Sequence, residues 1–211
     1  MKLIGMLDSP YVRRVAISLQ LLGLRFEHQP LSVFRNVDEF RVINPVIKVP
    51  TLLCDDGAVL MDSTLIMEYA EALARPRTLM PVGISELQHD LQVIGLALAA
   101  CEKSVQIYYE HQLRPSEKLH QPWLTRITAQ LLAAYAGLET ALAQRPYPLQ
   151  QERMPQAAIT TAVAWHFTQR MMPDIVVAGN YPRLAACSQA AELLPAFAAA
   201  PHGAATYQPA R

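Results

Sequence analysis

Most of what organises a small protein from outside its core is missing from this sequence. Only three cysteines occur in 211 residues, Cys54, Cys101 and Cys187. They are odd in number, far apart and without a CxxC pair, so neither a disulfide framework nor a dithiol motif is expected. A reducing, cytoplasmic setting fits that usage. No long apolar run exists: the most apolar stretch, Leu91 to Cys101, is 11 residues, about half of the ~20 needed to span a bilayer. Asp8 interrupts the apolar start too early for a signal peptide. Charge of one sign is absent as well, with 18 basic against 18 acidic side chains and no basic run longer than Arg13-Arg14. That excludes a global field for nucleic acid or anionic membrane. The six histidines show no ligand spacing, so no metal is expected. No GxSxG, P-loop or GxGxxG is found.

What is present is apolar and helix-prone. Hydrophobic residues make up 52% and charged residues 17%, which excludes a disordered chain. A chain of this length buries roughly 70% of its surface on folding, enough for one large core or two small ones. Composition divides it. Residues 1–78 hold five alanines and the remainder holds 25 of the 30, and alanine at that density favours helix. Residues 75–83 carry two prolines and a glycine between these parts and read as a linker. The expected domains are 1–78 and 84–211.

The first part alternates short runs. Lys2–Met6 is a strand candidate. Pro10–Leu22 has helical apolar spacing and Gly23 as its stop. Residues 25–30 read as extended, and 34–45 have no clear pattern. Val49–Cys54 and Ala58–Met61 flank Asp55-Asp56-Gly57, a hairpin signal, and Asp62/Ser63 then cap a helix to about Leu73. Such alternation predicts an α/β unit with a mixed sheet. In the second part, Leu91, Ile94, Leu98, Cys101, Val105 and Tyr108 predict one long helix with that stripe buried. Leu124, Ile127, Leu131, Leu138 and Leu142 predict another. Shorter helices are expected over Gln156–Met171 and Pro182–Leu194.

Three places carry possible chemistry. Ser9-Pro10 starts the first helix, and Ser at the cap with Pro after it is ordinary capping. The same hydroxyl and free N–H groups also hold an anion or thiolate. Arg13 and Arg14 oppose the dipole at that end, which a nearby anionic ligand would explain. At Val49-Pro50 a proline enters a strand; an ordinary trans bond is the local expectation, whereas a cis bond turns the Val49 backbone outward toward an extended peptide. Asp62-Ser63 reads as plain capping or as a site in which Ser63 takes a carboxylate and Asp62 an ammonium.

Ser9-Pro10-Tyr11 with Arg13-Arg14-Val15, Lys48-Val49-Pro50-Thr51-Leu52 and Asp62-Ser63, in this order and spacing, resemble the glutathione transferase superfamily. The serine-type classes are the nearest in pattern, tau and small bacterial members in particular. The resemblance implies a thioredoxin-like N-terminal domain of order βαβαββα with a four-stranded mixed sheet, followed by an all-α bundle. It makes Ser9 the hydroxyl that hydrogen-bonds the glutathione sulfur. Val49, before a cis Pro50, would pair with the cysteinyl backbone. Asp62 and Ser63 would hold the γ-glutamyl ammonium and carboxylate, and Lys48 the glycine carboxylate. Tyr11, Cys101, Val105, Tyr108 and Tyr109 would border the electrophile pocket. The implied activity is conjugation of glutathione, the co-substrate, to a small hydrophobic electrophile by a cytoplasmic homodimer. A non-catalytic binding member and a glutathione-dependent isomerase or dehalogenase are the alternatives. Two departures stand out. Asp62 replaces the more usual Glu, and Gln156-Ala157-Ala158-Ile159 replaces a Ser/Thr-x-x-Asp box, which leaves the start of that helix without its expected cap.

Overall fold

The computed structural model describes residues 1–208; the last three positions of the expected 84–211 domain lie outside them. The chain divides into two compact units. One comprises 1–80, 150–154 and the described residues 192–208; the other comprises 81–149 and 155–191.

The first unit is built on a four-stranded mixed sheet in the order β2-β1-β3-β4. β1 (Lys2–Ile4) pairs in parallel with β2 (Glu27–Gln29) and antiparallel with β3 (Thr51–Leu53), which pairs antiparallel with β4 (Val59–Met61). Crossing from β1 to its parallel neighbour requires a helix, supplied by α1 (Pro10–Leu21). Local chemistry sets both ends of α1. Ser9 caps the start, and at the end Gly23, at φ +75°, donates to Gln20 while Leu24 N–H reaches back to Leu19 O at 2.9 Å, the paired closure that a left-handed glycine permits. Ten of the twelve α1 residues are buried. With Leu3, Ile4, Leu52 and Ile66, all inaccessible, they form the core. The Asp-Gly hairpin forms as its sequence predicts, with Gly57 at φ +88° and Cys54 N–H bonded to Ala58 O at 2.8 Å.

α2 (Val37–Ile43) occupies the stretch where the sequence shows no pattern. Phe40 is the only buried residue of its seven and packs with Ile4 and Leu31; one anchor in two turns leaves no periodicity to read. α3 (Ser63–Ala74) follows β4, and a short α8 (Pro195–Ala198) belongs to the same unit.

The second unit contains α4 (Ile84–Leu113), α5 (Gln121–Gln144), α6 (Gln156–Met171) and α7 (Pro182–Glu192), of which α7 gives its last residue to the first unit. The α5 stripe is buried as predicted. The α4 stripe is rotated: Leu91 is 53% exposed, and the buried face runs through Val93, Ile94, Ala97, Ala100, Cys101, Ser104 and Ile107. α6 forms without a side-chain cap. Twelve of its sixteen residues are buried, and Gln156 and Thr160 bond each other across its first turn at 3.2 Å. Tertiary burial thus replaces the missing box. No helix among the described residues is long and apolar enough to cross a membrane.

Candidate functional site

The turn between β1 and α1 is fixed by Gly5. At φ +137° it adopts backbone that side-chain-bearing residues avoid. A β-carbon there would lie 2.6 Å from Val12 Cγ2 and 2.9 Å from Val49 Cγ1. Its missing side chain therefore lets the α1 entry and the Val49 loop close on each other. Gly5→Ala is expected to destabilise the fold by about 2 kcal/mol or more. Gly57→Ala, where nothing lies within 4 Å, meets only the backbone penalty of about 1 kcal/mol. Thermal denaturation of the two variants compares them directly.

Ser9 stands at the open end of α1. Its Oγ accepts from Val12 N–H at 3.4 Å, a long bond. The capping geometry is present, yet it holds the hydroxyl only weakly and leaves its proton for another acceptor.

The Val49-Pro50 bond is cis. Val49 lies just outside β3, and among the described residues neither its N–H nor its C=O has a hydrogen-bond partner. Asn44 and Thr51 brace this loop. Asn44, 3% exposed, donates to Thr51 Oγ1 at 2.8 Å and accepts from Val46 N–H at 3.0 Å, and Thr51 Oγ1 donates to Lys48 O at 2.6 Å.

Asp62 caps α3 at φ +73°, with Oδ1 accepting from Thr64 N–H at 2.9 Å and Oδ2 3.5 Å from Lys48 Nζ. Partial burial alone raises its pKa. The Thr64 N–H bond and the Lys48 charge outweigh this and hold the carboxyl below its ordinary value. Ser63 follows at the first helical position, 3% exposed, with Oγ accepting from Arg14 Nη1 at 3.1 Å.

These contacts close a ring. Ser9 caps α1, Arg14 of α1 reaches Ser63, Asp62 adjoins Ser63 and meets Lys48, and Val49 returns to Gly5 and the α1 entry. All five expected glutathione-site residues thus belong to one connected set within the first unit. The set offers two hydroxyls, an unpaired backbone edge, two helix N-termini, two cations and one carboxylate.

The arginines correct one expectation. Arg13 is not turned toward a ligand. It is 1% exposed, forks onto Glu192 at 2.6 and 2.7 Å, and donates from Nε to Ala200 O at 2.8 Å. The anion that offsets it at the helix start is a carboxylate of the same chain.

The expected electrophile-pocket residues are placed less uniformly. Tyr11 is half-buried on the first turn of α1. On α4, Val105 and Tyr108 are half-buried and Tyr109 is 40% exposed, bordering an open groove of about 560 Å³ with Leu113 and Trp123. Cys101 departs from the expectation. It is 1% exposed, in the helical core near Tyr135, because α4 turns its small-residue face inward. The roles of Gly5, Asn44 and Arg14 in holding the site were not visible in the sequence. The positive φ at Gly5 was the one feature that its residue type hinted at.

Residues 3–78 match the family model described as the glutathione S-transferase N-terminal domain. The uncharacterized GST-like protein YibF of Escherichia coli (strain K12) is 27% identical over 176 residues, 82% of this chain and 85% of that one. A glutathione transferase family member from Pseudomonas fluorescens Pf-5, solved with bound S-(propanoic acid)-glutathione, superimposes with a TM-score of 0.78 at 29% identity. It covers 95% of this chain and 98% of its own. A glutathione S-transferase of Methylobacterium radiotolerans, in complex with glutathione sulfonate, gives 0.85 at 25% identity, over 93% of this chain and 92% of its own.

Proposed function

The chain belongs to the glutathione S-transferase superfamily, and on that premise we propose that it binds glutathione and conjugates its thiolate to a small hydrophobic electrophile. The observation that carries this reading is the connected ring of Ser9, Arg14, Ser63, Asp62, Lys48 and Val49. Ser9 O–H and the N–H groups of α1 stabilise the thiolate. The Val49 backbone pairs with the cysteinyl unit. Ser63, held by Arg14, takes the γ-glutamyl carboxylate, Asp62 takes the ammonium, and Lys48 takes the glycine carboxylate. Residues 1–78 carry the thiol. Ser9 activates the sulfur and forms no bond to carbon. The protein acts in the cytoplasm as a homodimer, and the exposed Val59, Met61, Leu65 and Leu73 of β4 and α3 offer a second copy an apolar face.

Calorimetric titration with glutathione and a turnover assay with an activated aryl halide test the proposal together. Absence of binding at millimolar glutathione removes it, and binding without turnover on a broad electrophile panel converts it to the non-catalytic reading. Asp62→Asn isolates the ammonium contact, because Asn still caps helices and tolerates positive φ. Its expected effect is a rise of about tenfold in the KM for glutathione, equivalent to ~1.4 kcal/mol. The rate at saturating glutathione should change little, and the stability at neutral pH should fall only by the small amount the partly exposed carboxylate contributes. The Asp62 carboxyl is held below its ordinary pKa in the fold. Its contribution is therefore complete above about pH 4 and lost as the pH falls through the folded value. A KM that Asp62→Asn leaves unchanged would detach Asp62 from the ligand.

A further inference from the structure

The segment after α8 folds back onto the far edge of the sheet and is fastened there by one histidine. Tyr207 N–H donates to His28 Nδ1 at 3.0 Å, and His28 Nε2 lies 2.8 Å from Gly5 O. The Tyr207 ring stacks on Phe26, with centroids 4.4 Å apart and planes at 22°, and Gln208 N–H donates to Ala199 O at 2.9 Å. These partners fix the tautomer. A carbonyl only accepts, so Nε2 carries the proton, and a backbone N–H only donates, so Nδ1 offers a lone pair. The neutral Nε2–H imidazole satisfies both, whereas imidazolium would set a second donor against Tyr207 N–H.

We propose that His28 is a proton-operated clasp: neutral, it binds residues 201–208 to Gly5 and so steadies Val49, and protonated, it releases the segment. The clasp itself is independent of the glutathione reading; only its effect through Val49 rests on that reading. Gly5 is the link, because its α-carbon is where the side chains of Val12 and Val49 converge.

The surrounding charges leave the proton on His28 as the controlling event. Glu27, its neighbour on β2, pairs with Lys2 of β1 at 3.5 Å, and Glu39 of α2 faces Gln29. In the segment itself Tyr207 is pushed to higher pKa by burial and stays neutral throughout this range. His202 is the other titratable group there. Burial lowers the pKa of His28, against the bond to Gly5, which raises it. The sign follows: the clasp is intact above the free imidazole pKa and weakens as the pH falls below it. With a free value of about 6.5, going from about pH 7.5 to about pH 5.5 weakens closure roughly tenfold.

The test follows the Tyr207 and Gln208 amides and the His28 ring nitrogens by NMR in the 15N-labelled full chain at these two pH values. Amide exchange is corrected for its intrinsic pH dependence. The wild type should lose about tenfold in protection of the two amides, whereas His28→Gln, which keeps one donor and one acceptor without titrating, should lose none. His202→Gln should behave as wild type. Tyr207→Pro, which lacks the N–H, should leave Gln208 unprotected at both pH values, and it serves if His28→Gln fails to fold. Equal wild-type protection at both pH values, or the same loss in His28→Gln, overturns the clasp. S-methylglutathione, whose sulfur does not ionise, reads the link to the site: its affinity should fall several-fold at low pH in wild type and not in His28→Gln. Equal affinities with a released segment overturn the coupling through Val49. No binding at either pH counts against the glutathione reading, and the amides still decide the clasp.

Discussion

Ser9→Ala is expected to lower the rate of glutathione conjugation several-fold, with roughly 25-fold as the upper bound, near neutral pH while costing less than about 1 kcal/mol of stability. A free thiol of pKa about 8.5 is only about 3% ionised at pH 7, and lowering it to about 6.5 makes it about 75% thiolate, a gain worth about 2.7 kcal/mol. One hydroxyl bonded to a thiolate, added to the N–H groups and dipole of α1, has that magnitude. The small stability effect follows from the 3.4 Å capping bond to Val12, too long to contribute much. An ordinary cap would give the opposite pattern, a stability loss with activity retained. The pH–rate profile separates the two. In wild type kcat/KM should rise with a midpoint near the lowered thiol pKa, and in Ser9→Ala the midpoint should move up toward the free value. Equal rates and equal midpoints would remove Ser9 from the chemistry. Ser9→Thr retains the hydroxyl and should restore part of the rate.

The sequence made legible whatever was decided within a few residues. Ser9-Pro10 and Gly23 bound α1, Asp56-Gly57 turns the hairpin, and the evenly spaced large residues of α5 face inward, all from local geometry. In α4 the pattern of large side chains points one way and the packing another. Ala97, Ala100 and Ser104 are buried while Leu91 is exposed, since small residues let helices approach closely. α2 was invisible for want of more than one anchor. Within the site, residue types revealed Ser9, Val49, Asp62 and Ser63 as candidates, but not what holds them. Arg14 to Ser63 spans 49 positions, His28 to Tyr207 spans 179, and no local rule connects such pairs.

The Arg13–Glu192 pair also spans 179 positions, and its removal should produce the largest loss of stability in the first unit. Arg13 is expected to be indispensable to that unit though remote from the chemistry. It is inaccessible, and it satisfies both Glu192 oxygens and the Ala200 carbonyl while its guanidinium lies 5.7 Å from the Phe197 ring centroid. One side chain thus ties α1 to the end of α7, to α8 and to the segment beyond. Arg13→Ala removes the guanidinium from the partly buried Glu192 carboxylate and the Nε donor from the Ala200 carbonyl, a loss of about 3 kcal/mol or more. For a chain of this size that corresponds to a fall in Tm of roughly 6–20 °C. Arg13→Lys should recover little, because an ammonium cannot reproduce the planar fork and the Nε bond together. Substituting both partners by apolar residues, Arg13→Met with Glu192→Leu, should be less damaging than Arg13→Ala alone, since neither charge is then stranded. Calorimetric Tm values for Arg13→Met, Glu192→Leu and the double variant close the cycle. A Tm within 2 °C of wild type for Arg13→Ala would mean that water or another donor replaces the guanidinium, and that the helix start tolerates its opposed charge for some other reason.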